Sequence, residues 1–264
     1  MIAIIGVGKM GEALLSGLLR AGHEPEDVAA VEKVTTRSAD IAATYGVREL
    51  TLAEAAEGAD TLVIAVKPQD MEETLSALDG LTDQQLVISI AAGITTAFIE
   101  RCLAPARVPV VRVMPNTPAV VNEAMSVISA GSHAGSGHLD RAGELLSVAG
   151  KVLRIPESQQ DAATALSGSG PAYVYYLAES MIDAGVFVGM PRPAARELVI
   201  QAIYGAATML RDSGEHPVVL RENVSSPAGT TVAAIGQLES HGVRAAFQAA
   251  IEAARDRGRE LGGG

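Results

Sequence analysis

From Ile2 to Ile155 short β-branched runs alternate with longer stretches in which apolar residues return every three or four positions. The runs Ile2–Ile5, Val28–Val31, Thr61–Val66, Leu86–Ile90, Val110–Val113, Met125–Ala130 and Val152–Ile155 read as strands apolar on both faces. Helical spacing lies between them, after Gly11, around Ser38–Tyr45, at Leu52–Glu57, at Asp70–Leu78, from near Thr95 and at Leu139–Val148. Strands of that kind separated by helices predict an α/β domain, a parallel sheet covered on both faces and joined by right-handed crossovers.

Beyond about Ser158 no convincing strand remains. Pro171 and Pro193 are placed to open long helices, the second reaching about Ser213, and two more follow from Val232 with a break at His241-Gly242. The change of texture predicts a sheet domain over 1–156 and an all-helical domain over 157–264. The helical faces are wide and rich in alanine, so this second domain either closes on itself as a bundle or completes its core against a second subunit. The chain ends in a low-complexity Gly262-Gly263-Gly264.

Composition narrows the choice. Aliphatic residues carry most of the 48% hydrophobic content, with no Trp and only three Phe, which suits close helix packing better than stacking surfaces. A formal charge of −11 without any basic cluster argues against nucleic acid. A single cysteine, Cys102, excludes an internal disulfide, and the five histidines show no ligand spacing, so no metal is expected. No apolar run approaches the length of a membrane span and no basic leader precedes the first strand, which makes the cytoplasm the expected location.

Candidate chemistry sits at both ends of the chain. The stretch Gly6-Val7-Gly8-Lys9-Met10-Gly11 stands between the first strand and a helix, the arrangement a dinucleotide site requires. Gly6 would permit the turn, Gly8 the approach of a pyrophosphate, and Gly11 the packing of helix on strand. The second strand ends at Glu32-Lys33, where an adenosine ribose would lie. Glu32 favours the free hydroxyls of NAD, while Lys33, Thr35, Thr36 and Arg37 could surround the phosphate of NADP; both remain open. Strand ends Ala65-Val66-Lys67-Pro68 and Ala91-Ala92-Gly93 should border the same crevice, and Asn116 is held between Pro115 and Pro118. The glycine- and serine-rich stretch 130–137 has no Lys-Ser or Lys-Thr end and reads as a flexible surface loop. Near the other end, Ser225-Ser226-Pro227-Ala228-Gly229-Thr230-Thr231 reads as a helix start with Pro227 in the first helical position, able to hold a small carboxylate on N–H groups and hydroxyls.

Together with Ser167-Gly168-Ser169-Gly170-Pro171-Ala172-Tyr173 and Gly214-Glu215-His216-Pro217, these motifs make nearly the whole chain resemble the pyrroline-5-carboxylate reductases. The resemblance implies an N-terminal Rossmann domain, a helical dimerisation domain and dimers gathered into a larger homo-oligomer such as a decamer. It implies reduction of L-1-pyrroline-5-carboxylate to L-proline with NADPH or NADH. It also implies that a loop matching Ser225–Thr231, from the partner subunit, holds the substrate carboxylate through Ser226, Ala228, Gly229, Thr230 and Thr231, with Thr231 assisting at the imine nitrogen. Asn116 and Ala92 would place the nicotinamide. Two departures stand out: Ala228 replaces a glycine common in the family, and Glu32 differs from a plain NADP-binding strand end. A β-hydroxyacid dehydrogenase would need a lysine on a helix of the second domain, and the last lysine here is Lys151. A nicotinamide-binding sensor or scaffold would bind without turnover.

Overall fold

The computed structural model describes residues 1–262; the last two glycines of the low-complexity tail lie outside the described residues. In chain order the sheet-bearing part is β1 (Ile2–Ile5), α1 (Lys9–Arg20), β2 (Val28–Val31), α2 (Thr35–Tyr45), β3 (Arg48–Glu49), α3 (Leu52–Gly58), β4 (Thr61–Ile64) and α4 (Met71–Ser76). It continues with β5 (Leu86–Ser89), α5 (Thr96–Cys102), β6 (Val110–Met114), β7 (Ala124–Ala130), α6 (Ser136–Ser147) and β8 (Gly150–Arg154). The strands form one sheet in the order β3-β2-β1-β4-β5-β6-β7-β8.

Every neighbouring pair from β3 to β6 is parallel, as expected. The last two strands depart from that expectation: β7 runs antiparallel to β6, and β8 follows β7 in parallel. Residues 115–123 leave no room for a crossover helix, and a parallel return needs a dozen residues or more. Strand β3 was not foreseen because its two residues are exposed and carry no apolar signature.

Period-two alternation sends Ala3, Ile5, Leu62, Ile64 and Val87 to one face, where they meet Met71, Leu75 and Ile99. The other face places Ile4, Val28, Val63 and Ile88 against Leu14, Leu15, Leu18, Ile41 and Leu146. Because β1, β2, β4 and β5 are covered on both sides, their sequences are apolar but for the buried Thr61 and Ser89 at strand ends. Helix limits follow local chemistry: Thr51 and Glu54 close a capping box on α3, Thr95 accepts from the Phe98 N–H at 3.2 Å to cap α5, and Gly46 ends α2 in the left-handed region. The 130–137 loop is more anchored than its composition suggests, since Glu100 accepts from both the N–H and the hydroxyl of Ser132.

By compactness the sheet-bearing unit runs on past residue 156. After β8 the chain makes a 3₁₀ turn (Glu157–Gln159), α7 (Gln160–Ala163) and a π turn (Thr164–Gly168) that stay on the sheet. Buried Arg112 holds them there, with Nη1 3.2 Å from Glu157 and Nη2 3.7 Å from Asp161, while Glu157 also accepts from the Thr96 N–H and hydroxyl. Gln160 donates to Val127 O and Ser129 Oγ. By compactness the first unit is Met1–Ser169 together with residues from Ala254 onward, and the second is Gly170–Ala253.

The second unit is helical, as expected. It contains α8 (Gly170–Phe187), α9 (Arg192–Asp212), α10 (Pro217–Asn223), α11 (Thr230–Ser240) and the start of α12 (Val243–Leu261). Helix α10, too short to show a clear period, was not foreseen; His216 Nδ1 caps it by accepting from the Val218 N–H. Helices α8 and α9 pair so closely at Gly185 that a Cβ there would lie 3.0 Å from the Ala195 methyl. Among the described residues of this unit Ala195 alone is buried, whereas Phe187 is 92% and Tyr176 73% exposed.

Candidate active site

The first turn after β1 is built by glycines with three different tasks. Gly6 adopts φ +88 and donates to Val31 O at 2.8 Å, and a Cβ there would lie 3.0 Å from the Ala65 carbonyl. A Cβ on Gly11 would overlap the Gly6 carbonyl oxygen, so helix α1 can approach the strand only with glycine at that position. Gly8 is different. A Cβ there would meet nothing within 4 Å, and Gly8 caps α1 with no side-chain hydrogen bond to the helix N–H groups. Open space above a helix terminus that no side chain caps fits the pyrophosphate of a dinucleotide.

A cavity of about 870 Å³ opens beside this turn, at the carboxyl ends of β1, β2 and β4. It gathers the expected Gly6, Gly8, Glu32, Lys33, Ala65, Val66 and Lys67. Leu50, Thr51, Leu52, Thr74 and Ala77 also line it and were missed; their only sequence signal was the Thr51–Glu54 capping pattern, which marks a helix start and not a wall. Mixed apolar and hydroxyl walls suit an adenosine. Carboxylates outnumber cations in the lining, five (Glu32, Glu49, Glu54, Asp70 and Glu73) to two (Lys33 and Lys67).

The remaining expected cofactor residues lie outside that lining. Val7 is buried and gives its N–H to Glu32 Oε2 at 2.9 Å, Lys9 and Ala92 are exposed, and Met10 packs beside Ala13. Pro68 opens a 3₁₀ turn, Ala91 is buried in the core, and Gly93 at φ +77 lies beside the backbone of Leu261 and Gly262. Arg37 reaches back to Val7 O at 3.3 Å and pairs with Glu12. The Tyr45 hydroxyl donates to the same carboxylate at 3.0 Å, and burial, followed by that hydrogen bond, raises the phenol above its usual range.

Asn116 is held at both ends of its amide. Its Nδ2 donates to Ser167 O at 3.0 Å, and its oxygen accepts from the Met125 N–H at 2.9 Å. Beside it, a Cβ on Gly168 would lie 2.9 Å from Met114 Cε. The extended loop after β6 is thereby fixed against the π turn.

In the helical unit, the Ser225–Thr231 stretch folds differently from the expected helix start at Pro227. Gly229 N donates to Ser226 O at 2.9 Å, closing a turn with Pro227 second and Ala228 third, and α11 begins only at Thr230. Ala228 takes φ +56, the left-handed third position of a type II turn, which proline at the second position favours. A Cβ on Gly229 would overlap the Ser226 hydroxyl. Ser225 Oγ donates to Arg221 O at 2.6 Å, while no side chain caps α11. Ser226, Thr230 and Thr231 are thus collected around a helix terminus whose N–H groups have no side-chain partner. Among the described residues no group of three or more His, Cys, Asp or Glu could hold a metal, and no helix is long and apolar enough to cross a membrane.

Comparison with known proteins bears on both halves. Residues 157–261 match the family model described as pyrroline-5-carboxylate reductase dimerisation, and residues 1–93 match one described as NADP oxidoreductase, coenzyme F420-dependent. A pyrroline-5-carboxylate reductase of Corynebacterium melassecola is 44% identical, the alignment covering 99% of this chain and 98% of that protein. The solved pyrroline-5-carboxylate reductase of Coxiella burnetii superposes with a TM-score of 0.93 at 33% identity, over 98% of this chain and 97% of the other. A Plasmodium falciparum pyrroline carboxylate reductase solved with NADP bound gives 0.86 at 30% identity, over 99% and 97%.

Proposed function

The chain belongs to the pyrroline-5-carboxylate reductase family, and from that premise we propose that it reduces L-1-pyrroline-5-carboxylate to L-proline with NADPH or NADH, the last step of proline biosynthesis. The observation that carries this reading is the 44% identity over an alignment that spans both the dinucleotide-binding and the helical regions.

When bound, the reduced nicotinamide supplies a hydride for the imine carbon. The chain's own part is positioning, which suits a protonated cyclic imine that asks for little acid–base machinery. Gly6, Gly8 and Gly11 shape the turn that admits the pyrophosphate, and Glu32, Ala65, Val66 and Lys67 border the rest of the dinucleotide. Ala91, Ala92, Gly93 and Asn116 form the wall beside the nicotinamide, Asn116 having one amide hydrogen left after its bond to Ser167. Ser226, Thr230 and Thr231 with the N–H groups at the start of α11 hold the carboxylate. Thr231 orients the ring nitrogen or relays a proton from water, since a hydroxyl is a poor acid.

The chain is a homo-oligomer built through its helical region. Support comes from the unit itself, whose large apolar side chains stand in water in a single copy. Dimers gathered into a larger homo-oligomer such as a decamer, and a cytoplasmic location, belong to the same reading. The test is direct: purified protein, reduced nicotinamide and pyrroline-5-carboxylate should yield oxidised nicotinamide and proline in equal amounts. Nicotinamide binding without proline would overturn the reading in favour of a sensor.

A further inference from the structure

We infer that this reductase prefers NADH to NADPH and that Glu32 sets the preference, an inference that rests on the nicotinamide-dependent reading above. Glu32 follows β2 at the lip of the cavity, and both of its oxygens are occupied. Oε2 accepts from the Val7 N–H at 2.9 Å and Oε1 from the Val34 N–H at 3.2 Å. The carboxylate is therefore turned into the site and fixed there, where an adenosine ribose meets the end of the second strand. A ribose diol can donate to it. A 2′-phosphate would bring a second anion against a half-buried first one, and like charges repel.

Two of the cations that could compensate, Lys33 and Arg37, already hold carboxylate partners. Lys33 Nζ is 3.1 Å from Glu73, and Arg37 pairs with Glu12 while donating to Val7 O. The cavity as a whole also opposes the phosphate, since its lining carries five carboxylates and two lysines. The Plasmodium relative was solved with NADP bound; in this chain the strand end argues for the other cofactor.

The test compares binding before it compares rates. Titration of the purified protein with NADH and with NADPH, followed by nicotinamide fluorescence, should give a dissociation constant at least about tenfold lower for NADH. The gap should narrow as salt rises from about 0.01 M to about 0.1 M, because screening relieves repulsion of the phosphate. Glu32→Gln, which keeps an acceptor for a backbone N–H, and Glu32→Ser should both tighten NADPH binding while weakening NADH. Equal or tighter NADPH binding by the unaltered protein, or a ratio unmoved in Glu32→Gln, would overturn the inference. Failure of the broader reading would look different: both cofactors would bind and neither would be oxidised by the imine.

Discussion

Asn116 Nδ2 and the Ser167 carbonyl oxygen lie 3.0 Å apart, joining the loop after β6 to the π turn that precedes α8. A π turn displaces the helical hydrogen bonds by one residue, here with Ser169 N on Thr164 O at 2.8 Å, and leaves a carbonyl in search of a donor. Asn116 supplies it. Asn116→Ala removes that bond and the one from Met125, and should lower stability by about 2 kcal/mol as well as turnover. Asn116→Asp keeps only an acceptor and should do no better. Denaturant midpoints and initial rates measured together check this; full stability with lost activity would mean that the amide serves the ligand alone.

Gly8 and Gly11 should respond oppositely to the same substitution. At Gly8 the space is open and φ is −73, so Gly8→Ala should fold as the parent does and bind either nicotinamide at least about tenfold more weakly. At Gly11 an added methyl collides with the Gly6 carbonyl, and Gly11→Ala should cost about 3 kcal/mol of stability. Thermal melts with and without cofactor separate the two: the Gly8 variant should lose only the shift that ligand produces.

Glu54 gives a prediction in pH. The Thr51 N–H, and then the Thr51 hydroxyl, hold its carboxyl below the ordinary range. A depressed folded-state value means the stabilisation is fully present above the unfolded carboxylate range and is lost as pH falls through the folded one. Glu54→Gln should therefore be less stable than the parent at neutral pH, and the difference should shrink towards zero in acid. A difference that stays constant from neutral to acid pH would show that the box owes nothing to charge.

In the helical unit, Thr231→Ala should reduce turnover with an unchanged melting temperature, since the side chain stands near a helix terminus and makes no described structural bond. Parental rates would remove Thr231 from the site. Ala228→Gly relieves a left-handed alanine, worth about 1 kcal/mol, against the added freedom of glycine in the unfolded chain. A small rise in melting temperature is expected, and a fall would show that the methyl packs usefully in the assembled protein.

What could be read from the sequence followed from repetition. Apolar runs such as Thr61–Ile64, buried throughout, announce themselves residue by residue, and the Gly6–Gly11 spacing announces a turn. Direction does not. The reversal at β7 depends on how little chain separates it from β6, and the span 115–123 reads locally as any proline-rich loop. The cavity wall at Leu50, Thr51 and Thr74 was hidden for a related reason: those residues are far apart in sequence and none is chemically unusual. Pro227 misled because proline fits the second place of a turn as well as the first place of a helix, and only the left-handed Ala228 decides between them. The partners of Arg112, Glu157 and Asp161, lie more than forty positions further along the chain, beyond the reach of any local pattern.

The scarcity of interior in the helical unit, where Ala195 alone is covered, has a consequence for how that surface can change. If its complement is another copy of itself, each substitution arrives on both sides of the seam at once. Self-complementarity is then a condition that one gene must satisfy against its own product, so neighbouring positions on α8 and α9 are constrained as matched pairs and an error in either is doubled.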